Sequence, residues 1–231
     1  MEDVERVKAE ALQIMGVFQV LPKLVVFDLD YTLWPFYWYL LLSMFIYNNI
    51  MDLFIACLVK LFDDFSECRS KHDTPTLFPH SRGILHALKH HSIDVAIASK
   101  SPTPHIATTF LDKLRISSMF VAQEIFYTWT HKTDHFQRIH SRTGVPYNSM
   151  LFFDDDNNNI QEWQSQISKI GVTSILVRNG VNLGEFRNGL EKFSQNRNAS
   201  KNRQKRPKTT LIDDFKYVAS ITYYSQFRRG K

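Results

Sequence analysis

The amino-acid sequence predicts one α/β domain, a doubly wound Rossmann-like parallel sheet of about five strands with helices on both faces. Three observations support this fold class. Short apolar runs alternate with segments of helical spacing, which is typical of βαβ units. The first run, LVVF at 24–27, is continuously apolar, as expected for a strand buried on both faces. Acidic or hydroxyl residues follow several of these runs, so polar groups would meet at one edge of the sheet.

Strands and helices alternate along the chain. The predicted strands are short apolar runs at 24–27, 92–98, 119–123, 150–153 and 173–177. The predicted helices, indicated by apolar spacing or capping residues, lie at about 1–16, 81–91, 103–114, 132–141 and 159–169. Ser81 is predicted to be the N-cap of the second helix, and Pro104 lies in the first turn of the third. From Gly189 onward the pattern decays into a polar, basic segment.

The composition is that of an ordinary globular protein with a basic C-terminal tail. The chain has 231 residues, of which 44% are hydrophobic and 22% charged. Residues 197–208 hold six basic residues and no acidic one, against a net charge of +5 for the whole chain. We therefore predict a domain at 1–190, a flexible basic tail at 191–231, and no nucleic-acid binding by the body of the protein.

The cysteines and the N-terminal segment indicate a reducing compartment. Two cysteines, Cys57 and Cys68, cannot form a disulfide framework or a metal cage. The first 16 residues are charged and amphipathic, unlike a secretory signal. We expect a cytoplasmic monomer.

Polar side chains follow the predicted strands at the points where those strands end. In chain order the candidates are Asp28, Asp30, Ser99, Asp154 and Asp155 after predicted strands, together with Lys132 at the start of a predicted helix. Because the carboxyl ends of parallel strands meet at one edge, we expect these side chains to face one crevice. Carboxylates held close together raise one another's pKa, and a divalent cation or a proton relieves the repulsion.

These groups suit phosphoryl transfer. Mg²⁺ takes a few carboxylate ligands, such as Asp28 and Asp154, while keeping positions for water and phosphate oxygens. The metal, Lys132 and the Ser99 hydroxyl would offset negative charge on the transferring group. A carboxylate can act as the nucleophile and form an aspartyl-phosphate, and Asp30 can exchange protons with the leaving group and with water.

The motifs resemble those of the haloacid dehalogenase superfamily. DLDYT at 28–32 is similar to its DxDxT/V signature, and Ser99, Lys132 and the Asp154-Asp155 pair match its later motifs in order. VVFDLDYTLWP, DVAIASKSPTP, HKTDHFQRIH and MLFFDDDNNNI resemble blocks of the eukaryotic, capless magnesium-dependent phosphatase family. The resemblance covers about residues 17–36 and 68–185.

The resemblance implies a phosphoric monoester hydrolase that uses Mg²⁺ and an aspartyl-phosphate. Its substrate would be a phosphorylated small molecule or a phosphoprotein, of the sugar-phosphate or phosphotyrosine type. The resemblance implies Asp28 as nucleophile and metal ligand, and Asp30 as general acid/base and, through its backbone carbonyl, as a further metal ligand. It implies Ser99 and Lys132 as phosphate-binding residues, with Lys132 also stabilising charge. The remaining implied residues are Asp154 as metal ligand and Thr32, Lys100 and Asp155 as supporting residues.

An apolar insertion at about 37–67 departs from the family pattern. Polar residues interrupt it near its middle, so neither apolar block reaches the roughly twenty residues of a membrane span. Three interpretations stay open: a small cap over the site, a membrane-docking hairpin, or translated intron sequence. We favour the last, because the segment lacks clear periodicity and helix caps, and we do not favour membrane contact by 37–67. Deleting 38–66 is expected to preserve or raise activity.

Two further functional classes stay open. A phosphoacceptor domain of the receiver type uses similar groups, but its acidic pair follows the first strand, whereas here the adjacent pair comes late. The other alternative is a non-catalytic or membrane-associated variant, with the insertion obstructing the site.

Some residues also have structural interpretations. Trp34 is either a wall on which a substrate stacks or a core residue. The acidic run 154–156 would suit a helix N-terminus. His131 and His135 lack a third zinc ligand, so we interpret them as surface or packing residues.

Overall fold

The computed structural model of the protein describes residues 2–35, 74–101, 104–126, 132–155 and 167–205. Within these ranges, five parallel strands form one sheet, in the spatial order β3-β2-β1-β4-β5. They are β1 (Leu24–Phe27), β2 (Asp94–Ser99), β3 (Phe120–Ile125), β4 (Met150–Asp154) and β5 (Thr173–Leu176). The predicted Rossmann-like parallel sheet is confirmed. The order reverses between β1 and β4, which makes their carboxyl ends a topological switch point.

β1 is the central strand of the sheet, which explains its continuous apolar sequence. Val25 is in register with Val95 of β2 on one side and with Leu151 of β4 on the other. All four residues of β1 are fully buried. A strand that is paired on both sides and covered on both faces has no position for a polar side chain.

Helices cover both faces of the sheet. They are α1 (Glu2–Gly16), α2 (Ser81–His90), α3 (Pro104–Lys113), α4 (Thr133–Thr143) and α5 (Leu183–Lys205), with short 3₁₀ turns at Ser117–Met119 and Tyr147–Ser149. Residues of α1, α2, α3 and α5 share one core with Phe27 and Phe153, whereas Phe136 and Ile139 of α4 share a second core with Val26. Among the described residues no helix is both long enough and apolar enough to cross a membrane.

The start of α2 differs from the prediction. His80 occupies the N-cap position and Ser81 is the first helical residue, so the prediction of Ser81 as the cap is wrong. The Ser81 hydroxyl instead donates a hydrogen bond to the Leu33 carbonyl oxygen, at 3.2 Å. It therefore ties α2 to the loop that follows β1. β2 begins at Asp94 rather than at Ser92, because Ser92 has a φ of +56° and belongs to the preceding turn.

α5 continues through the region where the sequence pattern was expected to decay. Leu190 and Phe193, three positions apart, are buried in the same core as Phe153. Lys192 Nζ donates to the Ser174 carbonyl oxygen at 2.9 Å, which ties the helix to β5. The predicted domain boundary at 190/191 thus lies inside a helix, and the compact unit that begins at the N-terminus extends to residue 196.

Several sequence predictions concern residues outside the described ranges. These are the insertion at 37–67, most of the helix at 159–169, His131, Asp156, and the tail beyond residue 205.

Candidate active site

The candidate site lies at the carboxyl ends of β1 and β4. Asp28 follows β1, and its amide donates a hydrogen bond to the Phe153 carbonyl oxygen at 2.9 Å, which extends the pairing of the strands by one residue. Asp154 is the last residue of β4. Because the two strands are neighbours in the same register, their terminal carboxylates meet at the switch point.

The ammonium group of Lys132 contacts both of these carboxylates. Its Nζ is 3.0 Å from Asp28 Oδ1 and 2.9 Å from Asp154 Oδ2. Lys132 occupies the N-cap position of α4 and is buried. Its Nζ also lies 5.0 Å from the centre of the Phe152 ring, within cation–π distance. The structure therefore brings Asp28, Lys132 and Asp154 into one ion-paired group.

Burial and charge set the protonation of this group. Burial raises the pKa of Asp28 well above its usual range, and nearby carboxylates, led by Asp154, add to this rise, whereas Lys132 opposes it. Burial alone would lower the pKa of Lys132, but Asp154 and Asp28 outweigh it and hold that pKa above its ordinary value. Lys132 is therefore positively charged, and further positive charge would favour the ionised form of Asp28.

Three carboxylates form a cluster that fits a divalent cation. Oxygens of Asp28, Asp154 and Asp155 all lie within 4.8 Å of one another. Opposite ligands of Mg²⁺ stand about 4.2 Å apart, because each metal–oxygen bond is about 2.1 Å long. The set therefore suits Mg²⁺ after small side-chain movements. Asp155, a supporting residue in the sequence analysis, belongs to this cluster by its position.

Asp30 is held separately from the three clustered carboxylates. Its Oδ1 accepts a hydrogen bond from Trp34 Nε1 at 2.8 Å, and both residues are buried. Trp34 has no exposed surface and its ring packs edge-on against Phe110, with centroids 6.3 Å apart. Of the two interpretations of Trp34, the structure therefore supports the core residue. The hydrogen bond itself was not predicted, although the four-residue spacing of Asp30 and Trp34 was visible in the sequence.

The loop that carries Asp30 is wound tightly and anchored to other elements. The Leu29 carbonyl oxygen accepts hydrogen bonds from the amides of Leu33 and Trp34, and Tyr31 has a φ of +47°. The Thr32 carbonyl oxygen accepts the Val181 amide at 2.9 Å. Thr32 is fully buried, and its hydroxyl has no hydrogen-bond partner among the residues that the structure describes. Its supporting role stays a prediction.

Ser99 ends β2 and is tied to the helix that follows Lys132. Its carbonyl oxygen accepts the Phe126 amide at 3.2 Å and lies 3.1 Å from His135 Nε2. The His135 ring stacks on Phe126, with centroids 3.9 Å apart and planes 3° from parallel. His135 is thus a packing residue that links β2 to the first turn of α4. Ser99 is buried and Lys100, the next residue, is partly exposed.

Comparison of the sequence with known proteins finds a family and relatives that match most of the chain. The family model described as Acid Phosphatase matches residues 20–196. The chain is 33% identical over 175 residues to Magnesium-dependent phosphatase 1 of Homo sapiens, an alignment that covers 76% of this chain and 89% of that protein. It is 30% identical over 177 residues to a HAD-like hydrolase superfamily protein of Schizosaccharomyces pombe, covering 71% of this chain and 92% of that protein.

The fold is also found in solved structures. A Had-superfamily hydrolase from Ehrlichia chaffeensis superposes with a TM-score of 0.51 at 18% sequence identity. The superposition covers 75% of this chain and 98% of that one. At this level of identity the similarity concerns the arrangement of strands and helices.

Proposed function

The chain belongs to the acid phosphatase family of the haloacid dehalogenase superfamily, and from this premise we propose that it hydrolyses phosphate monoesters through an aspartyl-phosphate on Asp28. Family membership makes the chain a phosphatase. The residue roles and the intermediate are our proposal. One observation carries them: the Lys132 ammonium group contacts Asp28 and Asp154 together at the switch point of the sheet.

The first step transfers the phosphoryl group to Asp28. A carboxylate oxygen of Asp28 forms a bond to phosphorus while the bond from phosphorus to the ester oxygen breaks. The electron pair stays with the ester oxygen, which takes a proton from the carboxyl group of Asp30. Lys132 and the Ser99 hydroxyl hold the negative phosphoryl oxygens during the transfer.

The second step releases phosphate. Water attacks phosphorus and gives a proton to the Asp30 carboxylate, while the bond between phosphorus and Asp28 breaks. The products are inorganic phosphate and the free Asp28 carboxylate, with Asp30 protonated for the next cycle. The same group therefore serves first as acid and then as base.

Magnesium is the cofactor in this scheme. Asp28, Asp154 and Asp155 would hold it, and the backbone carbonyl of Asp30 stays a predicted further ligand. Bound there, Mg²⁺ neutralises charge on phosphoryl oxygens and favours the ionised form of Asp28. The human relative is named for its magnesium dependence, and we extend that property to this chain.

The proposed substrates are monoesters of the phosphotyrosine or sugar-phosphate type, as small molecules or on proteins. Ser99 and Lys132 recognise the phosphoryl group, which all such substrates share. We further propose that the enzyme is a monomer and that its body binds no nucleic acid. A cytoplasmic location remains a prediction.

The test measures phosphate release from p-nitrophenyl phosphate with magnesium and with a chelator. Turnover is expected only with magnesium, and Asp28→Asn is expected to abolish it. An acid-stable, hydroxylamine-sensitive phosphoryl label should form on the wild type and be absent from Asp28→Asn. Asp94→Asn is the matched control, because Asp94 is exposed at the opposite end of the sheet. Full turnover by Asp28→Asn would overturn the covalent mechanism.

The label also separates the phosphatase from a receiver-type phosphoacceptor. In a phosphatase the label turns over with the substrate. A label that persists for minutes without hydrolysis of phosphate esters would assign the chain to the phosphoacceptor class.

A further inference from the structure

A buried hydrogen bond joins Trp34 to Asp30, the residue proposed as general acid. The Trp34 Nε1 to Asp30 Oδ1 distance is 2.8 Å, Trp34 has no exposed surface, and Asp30 is 9% exposed. The indole N–H is a donor only, so the carboxyl oxygen is the acceptor. Because both residues are buried, this bond restricts rotation of the Asp30 carboxyl group.

The backbone and the core fix the indole independently of Asp30. The Trp34 amide donates to the Leu29 carbonyl oxygen at 3.2 Å, and the backbones of Asp30 and Trp34 form a β-bridge. The indole ring packs edge-on against Phe110 of α3, at an angle of 74°. The core therefore sets the position of the indole, and the indole in turn constrains the carboxyl group.

We propose that Trp34 is a positioning residue that aims the Asp30 carboxyl group at the leaving oxygen. Through this role it lets the enzyme act on phosphate esters of weakly acidic alcohols, such as sugars. This inference rests on the proposed function, in which Asp30 is the general acid. Strongly acidic phenols leave as anions without a proton, whereas weakly acidic alcohols leave only when the acid is correctly placed.

The test compares kcat/KM across phosphate esters whose leaving groups range from strongly to weakly acidic. This ratio reports the steps up to departure of the leaving group, so it isolates the acid role of Asp30. Trp34→Phe keeps an aromatic ring and removes the N–H group. We expect it to lower kcat/KM by about tenfold or more for the least acidic leaving groups and by less than about threefold for the most acidic.

Phe193→Leu is the matched structural control. It truncates a buried aromatic residue of the same core and leaves Trp34, Phe110 and Asp30 unchanged. Any loss that it causes is expected to be equal across the series. If Trp34→Phe fails to fold, replacement of Trp34 by 3-benzothienylalanine removes the N–H group and keeps the shape of the fused ring.

The outcomes separate this inference from the proposed function. Asp28→Asn tests the covalent mechanism, and Asp30→Asn tests the acid role through the same leaving-group series. If both behave as expected while Trp34→Phe or its isostere loses activity equally across the series, the positioning role is overturned and the phosphatase mechanism stands. A steeper dependence in the Trp34 variants and a uniform response in Phe193→Leu support it.

Discussion

The Lys132 ammonium nitrogen lies 3.0 Å from Asp28 Oδ1, although 104 positions separate the two residues. Both side chains are more than nine-tenths buried. The contact exists because Asp28 follows the central strand, while Lys132 begins the helix that covers one face of the sheet. Removing one member of a buried ion pair leaves an uncompensated charge, so substitution of either residue should have a large, measurable effect.

Lys132→Met is expected to abolish most of the activity and to destabilise the protein. Turnover should fall by about a hundredfold or more, because a charge that stabilises the phosphoryl oxygens is lost. Without magnesium, the free energy of unfolding should fall by about 3 kcal/mol at neutral pH, because the buried carboxyl group of Asp28 and that of Asp154 then lose the charge that compensates them. Urea unfolding and kcat measure the two effects. Lys169→Met is the control, because Lys169 is exposed.

Added magnesium should restore part of the stability of Lys132→Met, because a divalent cation can replace the missing charge. A variant with the wild-type response to magnesium would show that Lys132 does not neutralise the carboxylates. The measurement of stability requires no enzymatic activity, so it separates the electrostatic role of Lys132 from its catalytic role.

Magnesium is expected to stabilise the folded protein through Asp155 as well as through Asp28 and Asp154. A ligand that binds only the folded state raises the melting temperature by mass action. Asp155→Asn should weaken magnesium binding about tenfold, equivalent to about 1.4 kcal/mol, because it removes one charged oxygen from the cluster. Melting curves over a magnesium titration measure this shift. Asp94→Asn should titrate like the wild type, and equal titration by Asp155→Asn would exclude Asp155 from the cation site.

The sequence predicted the parts of the site that depend on parallel strand order. Asp28 and Asp154 follow continuous apolar runs, and the carboxyl ends of neighbouring parallel strands must share one edge. The apolar runs therefore sufficed to predict that these two carboxylates, distant in the sequence, lie close together. Lys132 was expected to face the same crevice from its place at the start of a helix, and its ammonium group contacts Asp28 and Asp154 there.

The sequence does not predict which contacts are made by the polar atoms of largely apolar segments. The indole of Trp34 fits an apolar pattern whether or not its N–H group finds an acceptor such as Asp30. The position of Ser81 is compatible with a helix cap and also with a hydrogen bond to a distant carbonyl group. In the folded protein its hydroxyl makes the second contact, with the Leu33 carbonyl oxygen. In α5, basic and polar residues surround Leu190 and Phe193, so the sequence pattern indicates a decaying segment although these two side chains are buried.

Stability is expected to fall with pH below about 6.5 because of His135. Burial, followed by the charge of Lys132, lowers the pKa of His135 to about 4. Between these two pH values the unfolded chain binds a proton that the folded protein does not, so the free energy of unfolding decreases as pH falls, by on the order of 3 kcal/mol in total. Urea unfolding at several pH values with magnesium present measures the slope.

His135→Gln isolates this contribution. Glutamine can still donate a hydrogen bond to the Ser99 carbonyl oxygen, but it takes up no proton in this range. The variant should show a flatter slope between pH 6.5 and 5, whereas His105→Gln, which changes an exposed histidine, should keep the wild-type slope. Parallel slopes for the wild type and His135→Gln would contradict a neutral, buried His135.

Gly180 supports the loop after β1 through a close approach to Phe78. Its φ is +70°, and a Cβ atom built on it would overlap the Phe78 ring. The Phe78 amide donates to the Leu33 carbonyl oxygen and the Val181 amide to that of Thr32, each at 2.9 Å. A displacement at either contact would therefore reach the loop that carries Asp30.

Gly180→Ala is expected to lower both stability and turnover. The left-handed backbone and the overlap with Phe78 should together cost about 2 kcal/mol or more in the free energy of unfolding. In the double variant Gly180→Ala/Phe78→Ala, the loss of unfolding free energy caused by the overlap should disappear. The loss caused by backbone strain should remain. Gly16→Ala is the control, because nothing lies within 4 Å of its added Cβ atom. Urea unfolding and kcat measure the effects, and wild-type values for Gly180→Ala would mean that Phe78 moves away without disturbing the loop.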